Sequence, residues 1–270
     1  MLNVFRNLTR NLSFLAGETL YQLQERKNVS TILSYKNMYY GNSCFVIGNG
    51  PSLRAEDLTI LANHHIVTFA ANRIYNIYSQ TDWRPDFISI SDDGLSMDKK
   101  HICNMNFSYT QFCFARNQFT WRLRKIKSPK CFLNTDYRRS LLDNPVFSSE
   151  LDKIIYDIAT VTYYNLQLAV YMGFKNIYLL GCDSSYCLDR KADGTIVKSS
   201  TNTNYFRNDA MSETIPVMAA TFEMDIAYNY ARQYSEKHGI CIYNATRGGK
   251  LETFQRVTFE EAIEKILNQA

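Results

Sequence analysis

Five stretches of this chain place small or polar residues directly after an apolar run: Gly48-Asn49-Gly50-Pro51-Ser52, Asn72-Arg73, Asp92-Asp93-Gly94, Gly181-Cys182-Asp183 and Asn244-Ala245-Thr246. The first is the most informative. Glycines bring the backbone close to a ligand, and free N–H groups in such a turn can face an anion. A glycine turn after the first strand of an α/β sheet is where nucleotide phosphates or sugars commonly sit. Asp92 and Asp93 admit two chemistries. As a pair they can hold Mg²⁺ against a nucleotide diphosphate; singly, either can act as a general base on a substrate hydroxyl. Asp183 can bind ribose hydroxyls or support the same metal, with turn chemistry as the plain alternative. Arg73 can pair with a phosphate or a sugar carboxylate. His101 is the histidine nearest this set and is a further candidate base. No Ser-His-Asp pattern and no His/Cys metal spacing accompanies them.

The elements that must position these residues follow from the hydrophobic pattern. Short apolar runs at 44–47, 65–71, 87–91, 112–115, 130–133, 176–180 and 240–243 read as strands. Helical stretches lie between them: Leu53 to Leu61, with Ser52 as its cap, Ile74 to Ser79, Asp98 to Cys103, Ala159 to Met172 closed by Gly173, and Ala219 to His238 closed by Gly239. Strands alternating with helices predict an α/β fold, a mostly parallel Rossmann-type sheet with helices on both faces. The carboxyl ends of parallel strands share one edge, so residues distant in sequence are expected to line one crevice. Residues 1–42 read as an N-terminal helical extension, 43–258 as the nucleotide-binding domain, and 259–270 as a C-terminal helix. Residues 184–218, polar and irregular, read as a lid.

The chain has 270 residues, 46% of them hydrophobic, with a formal net charge of +4. That length holds one large domain with a lid. No run approaches the roughly 18 apolar residues that span a bilayer, and the N-terminus lacks a signal-peptide h-region. Seven cysteines are scattered without C-x-x-C spacing, which suits buried thiols in a reducing cytosol. Between Lys99 and Arg139, basic residues interleave with aromatic ones, opposed only by Asp136. Such a stretch suits anionic lipid or a phosphorylated substrate, or is a solvated face over an aromatic core; no recognition signature points to nucleic acid. The extension can pack on the body, mediate a homo-oligomer contact or lie on a membrane. A cytoplasmic protein with peripheral contact to the inner membrane and a lipid-linked glycan acceptor is the corresponding expectation.

Phe45-Val-Ile-Gly-Asn-Gly-Pro-Ser-Leu, Ala71-Asn-Arg-Ile-Tyr, Trp83-Arg-Pro-Asp with Ser91-Asp-Asp, Tyr178-Leu-Leu-Gly-Cys-Asp and Ile242-Tyr-Asn-Ala-Thr-Arg-Gly-Gly-Lys-Leu-Glu together resemble the 6-hydroxymethylpterin diphosphokinase-like superfamily and its bacterial surface-glycan branch. The resemblance spans about residues 42–257. The same order is similar to the bacterial sialyltransferases that use CMP-sialic acid. That resemblance implies a glycosyltransferase moving sialic acid or a related nonulosonate from a CMP donor to a glycan acceptor hydroxyl, with no required metal. It implies that Asn49, Gly50, Asn72, Thr160, Gly181 and Cys182 contact the nucleotide, with Ser185 and Tyr186 near the leaving phosphate. Gly48, Pro51, Ser52, Arg73, Asp183, Ser184 and Asn244 belong to the same expected nucleotide site. The sialyltransferases carry a catalytic His in the lid, whereas residues 204–223 here contain none. Asp92, Asp93 or His101 would then supply the base, and Arg207 would offset the leaving phosphate. The other expectation is a pyrophosphokinase using Mg²⁺ at Asp92-Asp93, although the chain has no P-loop. A third is a non-catalytic sugar-nucleotide-binding protein.

Overall fold

Alternation within the strands explains the architecture. In β1 (Ser43–Ile47), Cys44 and Val46 face one core while Phe45 and Ile47 face the other. The same division runs through β2 (Thr68–Ala71), β3 (Phe87–Ile90), β4 (Phe112–Arg116) and β5 (Lys130–Leu133). A sheet buried on both faces needs helices on both, and the intervening segments supply them. The computed structural model describes residues 2–92, 112–124, 126–199, 204 and 218–269.

The main sheet has eight strands in the order β13-β12-β8-β1-β2-β3-β4-β5, and every adjacent pair is parallel. The chain runs outward from β1 to β5. It passes through a small β6 (Thr135–Asp136) and β7 (Ile155–Tyr156) pair, then re-enters on the other side of β1 as β8 (Asn176–Leu180). β12 (Cys241–Asn244) and the short β13 (Gln255–Arg256) complete that side, so β12 is not the sheet edge. The boundary between β1 and β8 is therefore the topological switch point, where open α/β sheets bind ligands.

Helix α1 is Leu2–Ser34, α2 is Ala55–Asn63, α3 is Val161–Tyr171, α4 is Thr221–Lys237 and α5 is Phe259–Leu267. α3 and α4 pack on the face carrying Cys44 and Val46, α2 and α5 on the face carrying Phe45 and Ile47. α3 is apolar nearly all round and buried on most sides, as a helix sandwiched between sheet and α4 must be. Among the described residues, no helix is long and apolar enough to cross a membrane.

The structure corrects several sequence expectations. α2 begins at Ala55, capped by Arg54 without a side-chain bond, so Ser52 is not its cap. The second strand starts at Thr68, because His65 takes a left-handed φ of 52° and breaks the extended run. A 3-10 helix at Asn72–Ile77 replaces the short helix expected two residues later. The expected lid contains a small sheet: β9 (Leu188–Arg190) pairs with β10 (Ile196–Lys198) antiparallel and β11 (Met218–Ala219) parallel. The expected helix at 98–103 lies outside the described residues.

The C-terminal part of the N-terminal extension is fastened to the body. Ile32 is 1% exposed in the core under the sheet. Asn28 Oδ1 accepts the Phe132 N–H at 3.1 Å, satisfying a backbone group of β5. The N–H groups of Asn37, Tyr39 and Gly41 donate to carbonyls at the end of α3. Ile32→Ala should therefore cost about 2–4 kcal/mol, read as a shift in a urea midpoint; no shift would mean that α1 is not docked there. In the basic segment, Arg116 pairs with buried Asp157 at 2.8 Å and Arg138 with Asp136 at 2.6 Å, so part of its charge is spent internally.

Candidate functional site

A cavity of about 560 Å³ opens at the switch point, beyond the carboxyl ends of β1, β2 and β8. Its walls are residues 47–50, Ala71 and Asn72, the 181–186 segment, the start of α3, Arg190 of β9, Asn204 and the start of α4.

The glycine turn builds this cavity by close packing. A Cβ on Gly48 would lie 2.3 Å from the Gly181 carbonyl oxygen, and one on Gly50 would lie 1.9 Å from Asp183 Oδ2. The two loops touch so closely that only hydrogen fits. The contact is made by hydrogen bonds: the Gly48 N–H donates to Leu180 O at 2.7 Å and the Gly50 N–H to Gly181 O at 2.8 Å. Those two N–H groups are consequently not free for a phosphate. The glycines instead lock β1 to β8.

Polar side chains form the floor. Asn49 Nδ2 donates to Ala71 O at 3.0 Å, while its Oδ1 is buried with no hydrogen-bond partner among the described residues. Asn72 Oδ1 accepts the Ser91 N–H at 3.3 Å, tying β2 to β3. From α3, Asn165 donates to Ala70 O at 3.3 Å and accepts the Ser89 hydroxyl at 2.5 Å. Thr160 caps α3 by accepting the Thr162 N–H, so the positive end of that helix faces the cavity. Asn72, Ala159 and Ser184 hold left-handed φ values of 51°, 57° and 48°, and all three line the cavity. Strained backbone of this kind collects at functional sites.

Asp183 is held in place by its neighbours. Its Oδ2 accepts the Ser52 hydroxyl at 2.8 Å, and its carbonyl accepts the Lys250 N–H at 2.7 Å. Burial raises its carboxyl above the ordinary value, against the lowering effect of the Ser52 bonds. A carboxyl with a higher pKa folded than unfolded makes the folded chain the better proton binder between the two values, so stability falls as pH rises through that window. Melting temperature followed upward from about pH 4 should therefore fall less in Asp183→Asn than in wild type; identical profiles would sink this assignment. Burial also pushes the Cys182 thiol up to about 12, which leaves it a neutral wall rather than a nucleophile.

At the outer wall, Arg190 Nη2 meets Glu223 Oε1 at 2.6 Å, with the arginine side chain 25% exposed. Arg190 is the only cation among the described lining residues. Asp189 beside it accepts the Thr221 N–H at 2.9 Å and the Thr221 hydroxyl at 2.7 Å, anchoring the start of α4 to β9.

Gly48, Asn49, Gly50, Asn72, Thr160, Gly181, Cys182, Asp183, Ser184, Ser185 and Tyr186 are thus brought together. Pro51, Ser52, Arg73 and Asp92 do not line the cavity; Ser52 acts through Asp183, and Asp92 is exposed outside it. Asn244 is fully buried and corrects its expected role. It donates to Leu251 O and accepts the Thr246 N–H, while Thr246 Oγ1 accepts the Cys182 N–H, so it braces the wall from behind. Asp93, His101 and Arg207 lie outside the described residues. Sequence reasoning missed Thr162, Asn165, Arg190, Asn204, Glu223 and Tyr228. Arg190 had a usable signal, because Asp193-Gly194 is a hairpin turn that would have ordered β9.

No curated protein sequence matches the chain. The structure of the MAf glycosyltransferase from Magnetospirillum magneticum AMB-1 has the same fold, at 16% identity and a TM-score of 0.52. The alignment covers 91% of this chain and 41% of that one, so this chain spans less than half of its length. The sialyltransferase CstII from Campylobacter jejuni, solved with the substrate analogue cytidine-5'-monophosphate, aligns over 81% of this chain and 86% of that one, at 14% identity and a TM-score of 0.48. That likeness is too distant to transfer any residue. The family model described as 6-hydroxymethylpterin diphosphokinase MptE-like matches residues 17–189, well over half of the chain, and the protein belongs to that MptE-like family.

Proposed function

We propose that this protein is a glycosyltransferase that moves sialic acid or a related nonulosonate from a CMP donor to a glycan acceptor hydroxyl. The observation that carries this reading is the cavity of about 560 Å³ at the β1/β8 switch point, where Asn49, Asn72, Thr160 and residues 181–186 converge. Its volume suits a nucleotide sugar rather than a small metabolite. The fold shared with a glycosyltransferase structure supports the same class.

In this reading Asn49 Oδ1 accepts a donor group of the base or ribose, and the turn glycines hold the loops after β1 and β8 together beside the nucleotide. The acceptor oxygen bonds to the anomeric carbon as the carbon–oxygen bond to phosphate breaks. The electron pair leaves with CMP, where Arg190 and the start of α3 offset its charge. The acceptor proton passes to a base, for which Asp92, Asp93 and His101 stay the proposed candidates, with Arg207 as a second cation. A membrane-side, lipid-linked glycan is the proposed acceptor.

The family match favours a second reading, a pyrophosphokinase moving diphosphate from ATP to a hydroxymethylpterin. A thermal-shift panel of CMP, CMP-sialic acid, UDP, GDP and ATP, with and without Mg²⁺, separates the two, since only ligands of the folded state raise the melting point. Stabilisation by CMP, with CMP release from CMP-sialic acid in EDTA, is expected. Stabilisation by ATP alone, with AMP release in the presence of the pterin, would replace the first reading with the second.

A further inference from the structure

A second cavity, of about 260 Å³, adjoins the first. Ser184, Ser185 and Tyr186 line both, so the 184–186 segment is their common wall. Its remaining walls come from the β9–β10 hairpin, the first turns of α4 and Lys250. We propose that this smaller cavity is a subsite for a neutral sugar, the acceptor of the transfer, held by the Asp225 carboxylate and the Lys250 ammonium. This rests on the glycosyltransferase reading.

Three observations select that ligand. First, the charges lining the cavity balance: Asp189 and Asp225 against Lys191 and Lys250. A cavity without net charge gives no overall attraction to a phosphate or a carboxylate and suits a neutral ligand. Second, the partners are unequally committed. Asp189 is spent on Thr221 and on Lys191, whose Nζ meets it at 2.7 Å. The Asp225 carboxylate and the Lys250 ammonium form no hydrogen bond or ion pair among the described residues. One acceptor and one donor are therefore left for a ligand that both gives and takes hydrogen bonds, as a sugar hydroxyl does. Third, the other lining groups are mostly hydroxyl-bearing, Ser184, Ser185, Tyr186, Ser199 and Thr221, with Val197 the one aliphatic side chain. Partial desolvation and the Asp189 charge raise the Asp225 carboxyl above its ordinary value against the lowering effect of Lys191, which makes it the better acceptor of a hydroxyl proton.

The test is saturation-transfer NMR on the full chain. The probes are the methyl glycosides of galactose, glucose, mannose and N-acetylglucosamine at millimolar concentration, with excess CMP present to fill the larger cavity. At least one glycoside should give a signal. Asp225→Asn and Lys250→Ala should each weaken its binding about tenfold, the loss of one charge-assisted hydrogen bond, while the melting-point rise with CMP stays as in wild type. Both side chains are exposed, so neither variant threatens the fold. No signal from any glycoside, or a signal unchanged in both variants, overturns the subsite. A signal lost in the variants, in a protein that CMP never stabilises, keeps the sugar site and overturns the CMP-donor reading.

Discussion

Gly48→Ala will lower the melting temperature by up to about 6–12 °C and, on the proposed CMP-donor reading, abolish the stabilisation by CMP. The added Cβ meets the Gly181 carbonyl oxygen at 2.3 Å and its carbon at 2.8 Å, both backbone atoms. No rotamer change relieves a clash with backbone, so β1 and β8 must separate at the mouth of the cavity. Overpacking of this kind costs up to about 3 kcal/mol, and each kcal/mol is worth about 2–4 °C in a chain of this size. Gly194→Ala is the matched control. Its Cβ would meet nothing within 4 Å, and only its φ of 87° is strained. It should cost roughly 1–2 kcal/mol and leave CMP binding intact. If the two variants melt alike, the contact between the loops is not what shapes the site.

If the proposed CMP-sialic acid transfer holds, Arg190→Ala will slow CMP release by roughly 10²–10³-fold, the usual effect of removing one donor aimed at a developing anion. Arg190 is the lining cation among the described residues, and it already has an anion in Glu223 at 2.6 Å. That pairing allows a bland explanation, in which the arginine merely fastens β9 to α4. Its removal would take this ion pair from Glu223, only 12% exposed, and lower stability as well. The double variant Arg190→Ala/Glu223→Ala separates the roles. It should recover most of the melting temperature and none of the rate. Recovery of both would reduce Arg190 to a fastening, and the leaving group would need another cation.

The main sheet could be read from the chain alone because its strands are short apolar runs between turn residues. β1, β5 and β8 fall within a residue or two of the expected runs. Periodicity failed where side chains serve each other instead of a core. β9 and β10 looked like loop because Asp189, Arg190 and Lys198 interrupt any apolar run, and that hairpin is held by backbone pairing. β13 is two residues long, too short to carry any period.

The site divides the same way. Residue type and order placed Asn49, Asn72 and 181–183 at strand ends, since a parallel sheet puts its carboxyl ends on one edge whatever the details, and the family resemblance added Thr160, Ser185 and Tyr186. Tertiary packing decided what each group does there. It spent the Gly48 and Gly50 N–H groups on β8, turned Ser52 toward Asp183 instead of α2, buried Asn244 behind Cys182, and brought Arg190 and Glu223 into the wall from a hairpin and a helix. The reason is physical. Local sequence sets which backbone shapes are cheap, whereas the partner of a hydrogen-bonding group depends on which distant segment lies within about 3 Å of it once the core has closed.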